Sequence, residues 1–342
     1  MDASRYLKIF LIVTLGFGAM HGGSLAVFLY SPEIFYYRPW EFFGDFGYQV
    51  KDMPIRWQRP ELQDRTRSNF FLYQRTHMTT ATADDDGFRA RRFEAESYPI
   101  MVSGDSTIFG SGLSDDETLP WLMAEELQTP VFNAGRTALA NALAHPAMRG
   151  TEIVFDGWTE RNIRPRLLTK AAIRLRDEFV PFAPRNLTYM EAVGDIPPQR
   201  YSLPLIGWTV AKRIYRDIRV LSKGGEQPYT FLRHVMHAED LDETVSLIVE
   251  RDRTVKSLGK RYVFMPIPAK QTLYAGSIDD YTRNFIPTLV ARLRAEGVEA
   301  VDLATPFQAH KEEGLFFPYD THWNGKGTAL AAKEVAAQIF GR

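Results

Sequence analysis

Two short runs in this 342-residue chain hold residue types that could do acyl chemistry together. The first is YPIMVSGDSTIFGSG, from Tyr98 to Gly112. Its apolar start, Ile100 to Val102, predicts a buried strand, and Thr107 to Phe109 opens a helix. Between them a Gly104-Asp105-Ser106 turn delivers a hydroxyl to the carboxyl edge of a sheet, where open α/β sheets hold ligands. A serine at a helix N-terminus also has backbone N–H groups beside it that can stabilise an oxyanion. Gly110 and Gly112 leave room for a substrate to approach the backbone. Alone, Gly-Asp-Ser is a weak signal, because turns are rich in these three residues.

The second run, FFPYDTHWNGKG from Phe316 to Gly327, strengthens it. Asp320 and His322 stand two apart in a loop punctuated by Pro and Gly, ahead of an Ala-rich helix. An extended Asp-x-His segment can turn both side chains to one side. The carboxylate then orients the imidazole, and the imidazole activates Ser106 as general base.

Together the two runs resemble the SGNH (GDSL-type) hydrolase superfamily. Ser106 matches its nucleophile, and Asp320 and His322 match its acid and base. The resemblance implies an α/β fold, a three-layer α/β/α sandwich with a central parallel sheet. It also implies an oxyanion hole made by the serine N–H, a glycine after the second strand and an asparagine after the third. The glycine falls on Gly135, with Asn133 and Arg136 nearby. At the third strand the family's Gly-x-Asn-Asp is replaced by Trp158-Thr159-Glu160-Arg161-Asn162, where Asn162 could supply the amide. Glu160 and Arg161 could equally form an ion pair that holds the loop.

The spelling Asp320-Thr321-His322-Trp323 narrows the resemblance to the AlgX/AlgJ-type branch, periplasmic proteins that O-acetylate exopolysaccharides such as alginate. Pro268 to Tyr274 is similar to that branch's Pro-x-Lys-x-x-x-Tyr segment, which would set Lys270 and Tyr274 at a strand's carboxyl edge within reach of a sugar. Gly87-Phe88-Arg89 is similar to segments that precede the serine block. Asp105, Arg89, Arg161 and Trp323 therefore join Lys270 and Tyr274 as candidate substrate contacts. In the alginate-acetylating proteins Asp-x-His precedes the serine. Here Ser106 comes first, as in ordinary GDSL hydrolases, which sets the chain apart from close orthologues and leaves the polymer open.

The elements that must position these residues are legible as a β–α alternation. Helices are predicted over 117–127, 138–148, 240–258 and 281–296, and strands over 131–135, 152–162 (strand and exit), 261–268 and 298–302. Residues 163–238 break the alternation, with seven prolines and basic residues throughout. They read as a basic cap or insertion, with one amphipathic helix over 207–223 that presents Lys212, Arg213, Arg216, Arg219 and Lys223 on one face. That face is a solvated surface or a contact for an anionic polymer or lipid. His234 and His237 have no partner at metal-ligand spacing.

Residues 9–30 are apolar enough to span a bilayer, at about 1.5 Å of rise per residue. Arg5 and Lys8 precede the span and an aromatic cluster follows it, which predicts a cytoplasmic N-terminus and a translocated remainder. Ser24-Leu25-Ala26 could instead serve as a signal-peptide cleavage site. The expected organisation is a 1–30 anchor or signal peptide, a 31–77 juxtamembrane connector and a 78–342 SGNH-like domain carrying the 163–238 insertion.

A net charge of −1 and the absence of finger spacings or aromatic RNA motifs argue against a nucleic-acid partner. With no cysteine the chain has neither disulfides nor a thiolate nucleophile. Triad chemistry needs no cofactor and no metal. The sequence therefore points to a single-pass inner-membrane protein with its catalytic domain in the periplasm. It would act on a polysaccharide acceptor beside a multi-spanning membrane acyl-donor protein. An esterase with the same triad and a silent polysaccharide-binding subunit are the alternatives.

Overall fold

Each apolar run predicted as a strand is one, and burial on both faces is the reason. The structure is a computed structural model that describes residues 3–30, 48–50, 62–66, 77–81, 84, 86, 88–176, 178–180, 185–187, 191, 195, 215, 218, 241–274, 278–317 and 321–342. The chain begins with helix α1 (Ala3–Tyr30) and short strands β1 (Tyr48–Val50), β2 (Leu62–Thr66) and β3 (His77–Ala81). Strand β4 (Ile100–Gly104) leads into the one-turn helix α2 (Ser106–Phe109), then α3 (Leu119–Leu127), β5 (Val131–Gly135) and α4 (Leu139–Leu143). Strand β6 (Ile153–Thr159), helix α5 (Pro165–Lys170) and strand β7 (Arg185–Leu187) follow. The last part comprises α6 (Leu241–Lys256), β8 (Arg261–Ile267), α7 (Lys270–Tyr274), α8 (Asp280–Arg283), α9 (Phe285–Ala295), β9 (Glu299–Ala300), α10 (Ala304–Ala309) and α11 (Gly325–Phe340).

The chain divides into two compact units. One comprises Met1–Met78 with Ala183–Glu226, and the other Thr79–Phe182 with Gln227–Arg342. Within the first, β1 pairs in parallel with β7. Residues Ser4–Gly23 of α1 have a mean hydropathy of 1.3 and no buried side chain, so length and composition suffice to cross a membrane. A signal sequence near an N-terminus passes the same test. The predicted basic helix over 207–223 and the two histidines at 234 and 237 lie outside the described residues, apart from exposed Tyr215 and Ile218.

In the second unit a five-stranded sheet has the order β5-β4-β6-β8-β9, with every neighbouring pair parallel. Successive side chains of a strand point to opposite faces, so an all-parallel sheet needs a helical layer on each side. Met101, Phe132, Val154 and Phe264 face one core with Leu139 of α4, Leu168 of α5, Ile248 of α6 and Leu289 of α9. Val102, Phe155, Val263 and Met265 face the other, with Leu119 and Met123 of α3 and Ala331 and Val335 of α11. This is the α/β/α sandwich that the two runs predicted.

Two predicted helices are broken, and proline explains both. Residues 281–296 form α8 and α9 with a break at Asn284. Pro287 has no N–H to donate, and its ring would clash with the carbonyl four residues back at Arg283. Likewise α4 stops at Leu143, and a separate 3-10 turn starts at Pro146.

From β4 the chain crosses to β5 on one side, then returns past β4 to β6 on the other. A strand order that reverses in this way leaves a crevice at the carboxyl ends of the two strands on either side of the switch, here β4 and β6. Ser106 follows β4 directly, and Glu160–Asn162 follows β6 as a 3-10 turn.

Candidate active site

Ser106 opens α2, which has no room to stray. Asp105 caps the helix with extended backbone, and its Oδ1 accepts the Thr107 N–H at 2.8 Å. Its Oδ2 accepts the Thr159 hydroxyl at 2.7 Å and the Asn162 amide at 2.8 Å. The turn before the serine is thus fastened to the end of β6. On the other flank, the Asn133 amide donates to the Ile108 carbonyl and its oxygen accepts the Gly135 N–H. A Cβ at Gly135 would stand 2.3 Å from the Phe109 nitrogen, so the close approach of β5 to α2 requires glycine.

Ser106 Oγ and His322 Nε2 are 2.9 Å apart, although 216 residues separate them. The histidine is buried and sits on a loop pinned by its neighbours. Phe316 and Trp323 form an antiparallel bridge, and the Phe317 N–H donates to the His322 carbonyl. Trp323 is wholly buried, and its indole N–H donates to the Thr107 carbonyl at 3.2 Å, which ties the histidine loop to α2. Asp320 lies outside the described residues.

Of the candidate substrate contacts, several hold the site's framework. Lys270 is buried and donates to the Phe317 carbonyl at 2.6 Å. The Tyr274 hydroxyl donates to the Lys311 carbonyl and accepts the Leu315 N–H. Both therefore brace the segment that carries His322. Arg89 is buried, bonds to Asp115, and donates to the carbonyls of Phe109, Gly110 and Leu113, holding the loop after α2. Asp105 and Trp323 act on the site through Ser106 and Thr107, as described. Arg161, part-buried beside Asn162, has no hydrogen bond or ion pair among the described residues.

Glu160 makes no ion pair with Arg161. It is buried, and Oε2 accepts the Ala269 N–H and the Thr272 hydroxyl, both at 2.8 Å. Burial pushes its carboxyl up to about 7, against the two donors, which lower it. Thr159 and Thr107, whose hydroxyls lie 3.0 Å apart, were not singled out from sequence. The only signal for Thr159 was its place at the carboxyl end of a predicted strand.

Among known proteins, residues 227–342 match a family model described as "SGNH hydrolase-like domain, acetyltransferase AlgX". "Probable alginate O-acetylase AlgJ" of Pseudomonas syringae pv. tomato is 30% identical over 103 residues, 28% of this chain and 26% of that protein. The protein of the same name from Pseudomonas aeruginosa is 29% identical over 111 residues, 30% of this chain and 27% of that protein. The chain thus matches about a quarter of the length of these relatives. A solved G-D-S-L family protein from Desulfitobacterium hafniense is 12% identical, covering 70% of this chain and 99% of its own, with a TM-score of 0.38, a likeness too slight to argue from. Over residues 227–342 the chain is therefore similar to the AlgX/AlgJ-like branch of the SGNH hydrolase-like proteins.

Proposed function

We propose that the protein is a membrane-anchored periplasmic O-acetyltransferase that modifies an exopolysaccharide or cell-surface glycan through an acyl-Ser106 intermediate. The observation that carries this reading is the 2.9 Å approach of Ser106 Oγ to His322 Nε2 at the sheet's switch point. A binding module has no use for a nucleophile and base in register.

In the first half-reaction Ser106 Oγ attacks the carbonyl carbon of an acyl donor, and His322 Nε2 takes the hydroxyl proton. Collapse of the tetrahedral intermediate breaks the donor's C–O bond, and His322 returns the proton to the leaving oxygen. A sugar hydroxyl then attacks the acyl-serine, its proton passes to His322, and Ser106 regains a proton as the ester forms. Asp320 is the carboxylate assigned to hold the imidazole in the correct tautomer.

The Ser106 N–H, at the first position of α2, has no acceptor among the described residues, and in this reading it donates to the developing oxyanion. Asn162 spends one amide hydrogen on Asp105 and has a second to give. The Gly135 N–H points to Asn133, so it serves the oxyanion only by leaving that acceptor. Arg161 has no partner among the described residues to hold it back from an acceptor glycan.

The names of the relatives, alginate O-acetylases, support an acetyl group and a polysaccharide. The exposed apolar helix supports the anchor, and a multi-spanning membrane protein is the natural source of the acyl group.

The test uses the full chain in detergent with p-nitrophenyl acetate and a panel of acidic and neutral oligosaccharides. Mass spectrometry follows acetyl on the sugars. Sugar acetylation lost in both Ser106→Ala and His322→Ala is the expected result. Acetate release without sugar product would give the esterase. Equal background in all three proteins would leave the assembly subunit.

A further inference from the structure

We propose that Glu160 is a positioning residue, the one buried carboxylate that couples the serine side of the catalytic pair to the histidine side. The inference rests on the reading of Ser106 as the acyl-accepting nucleophile. On the serine side, Glu160 opens the 3-10 turn Glu160–Asn162, whose Asn162 and the preceding Thr159 both bond to Asp105, the cap of the Ser106 helix. On the histidine side, Oε2 accepts from Ala269 and Thr272, the start of α7. That helix carries Lys270 and Tyr274, which bond to Phe317, Lys311 and Leu315 in the segment leading to His322.

The nucleophile and the base come from opposite ends of the domain sequence. The ladder already holds the ends of β6 and β8 together at Thr159 and Ile267, and Glu160 extends that link past the strands to the start of α7. A buried carboxylate that served packing alone would be replaced by an apolar side chain at less cost.

The link has two forms near neutral pH. An ionised oxygen accepts the two donors through charge-assisted bonds, and a protonated one holds them less tightly. The other charged or titratable groups on the elements that meet here are Arg161 on the same turn, Asp105 before α2, Lys270 and Tyr274 on α7, and His322. None of them bonds to the Glu160 carboxylate. Burial sets the balance between the two forms, so Gln at this position mimics the protonated state at every pH.

The experiment measures the rate of fluorophosphonate labelling of the full chain in detergent between about pH 5.5 and 8.5, with Ser106→Ala as blank. The ratio of wild-type to Glu160→Gln rates should be near one at the acid end and rise to about tenfold at the alkaline end. Thr272→Val should slow the wild type about threefold at the alkaline end and leave Glu160→Gln unchanged, while Thr272→Ser retains the wild-type rate. If Glu160→Gln fails to fold, the threonine pair decides alone: a Thr272→Val effect in the wild type that is nil, or equal at every pH, would overturn the coupling. A ratio that is the same at every pH, or a Thr272→Val effect equal in both backgrounds, would overturn the coupling alone. Wild-type labelling no faster than the Ser106→Ala blank would overturn the nucleophile reading, and the inference with it.

Discussion

Asp105, a candidate contact for substrate beside the nucleophile, also fastens the nucleophile's turn through partners far along the chain. The sequence marks it as polar beside the nucleophile, but its partners Thr159 and Asn162 lie 54 and 57 positions away, and no local pattern announces them. Three donors converge on its two oxygens. Asp105→Asn would turn an amide group against at least one donor, leaving a part-buried mismatch that costs about 1–3 kcal/mol. Urea unfolding should show that loss, and p-nitrophenyl acetate turnover should fall by about tenfold or more as Ser106 loses its fixed position. Trp323→Phe removes the bond to Thr107 and leaves a cavity where the wholly buried indole packed, so stability should drop by about 2–3 kcal/mol. Its effect on turnover should exceed its effect on the melt, because that bond joins the two catalytic loops. Arg89, Lys270 and Tyr274 follow the same logic. Their types announced hydrogen bonding, but backbone carbonyls far along the chain took them.

At the scale of elements the strands were readable because burial on both faces leaves continuous apolar runs, and the nucleophile turn was readable because glycine and aspartate punctuate it. Helix ends were less so. Pro287 and Pro146 cut two predicted helices, and β9, predicted over 298–302, pairs with β8 at only two positions. The contact of α2 with β5 is the element-level feature most exposed to mutation. Gly135→Ala would place a methyl group 2.3 Å from the Phe109 nitrogen and 2.5 Å from its Cα, and backbone cannot swing aside as a side chain can. The variant should lose roughly 2–4 kcal/mol in thermal or chemical unfolding. Turnover should fall too, since α2 must shift and it carries Ser106.

For the whole molecule, Glu160 predicts how stability changes with pH. Burial raises its carboxyl from 4.5 to about 7, so the folded state favours the protonated form. Between those two values the folded chain binds more protons than the unfolded one, and stability falls as pH rises, by roughly 3 kcal/mol in all. Glu160→Gln lacks this loss. The wild type should therefore lose stability relative to the variant across that window, read as diverging urea midpoints. The same ionisation that weakens the fold would tighten the link between the two catalytic loops. The three-layer sandwich around the parallel sheet was legible through the family resemblance that two short motifs carry, and the β–α alternation agreed with it. Within residues 163–238, α5 and β7 were not, because prolines and scattered arginines there carry no period from which to place an element.

The central claim is that Ser106, activated by His322, takes the acyl group. The most direct test is intact-protein mass spectrometry of the full chain after brief exposure to p-nitrophenyl acetate, followed by peptide mapping. The account predicts one acetyl group on Ser106, absent in Ser106→Ala and formed far more slowly in His322→Gln. An acetyl adduct that persists in Ser106→Ala, or one whose rate does not depend on His322, would contradict it.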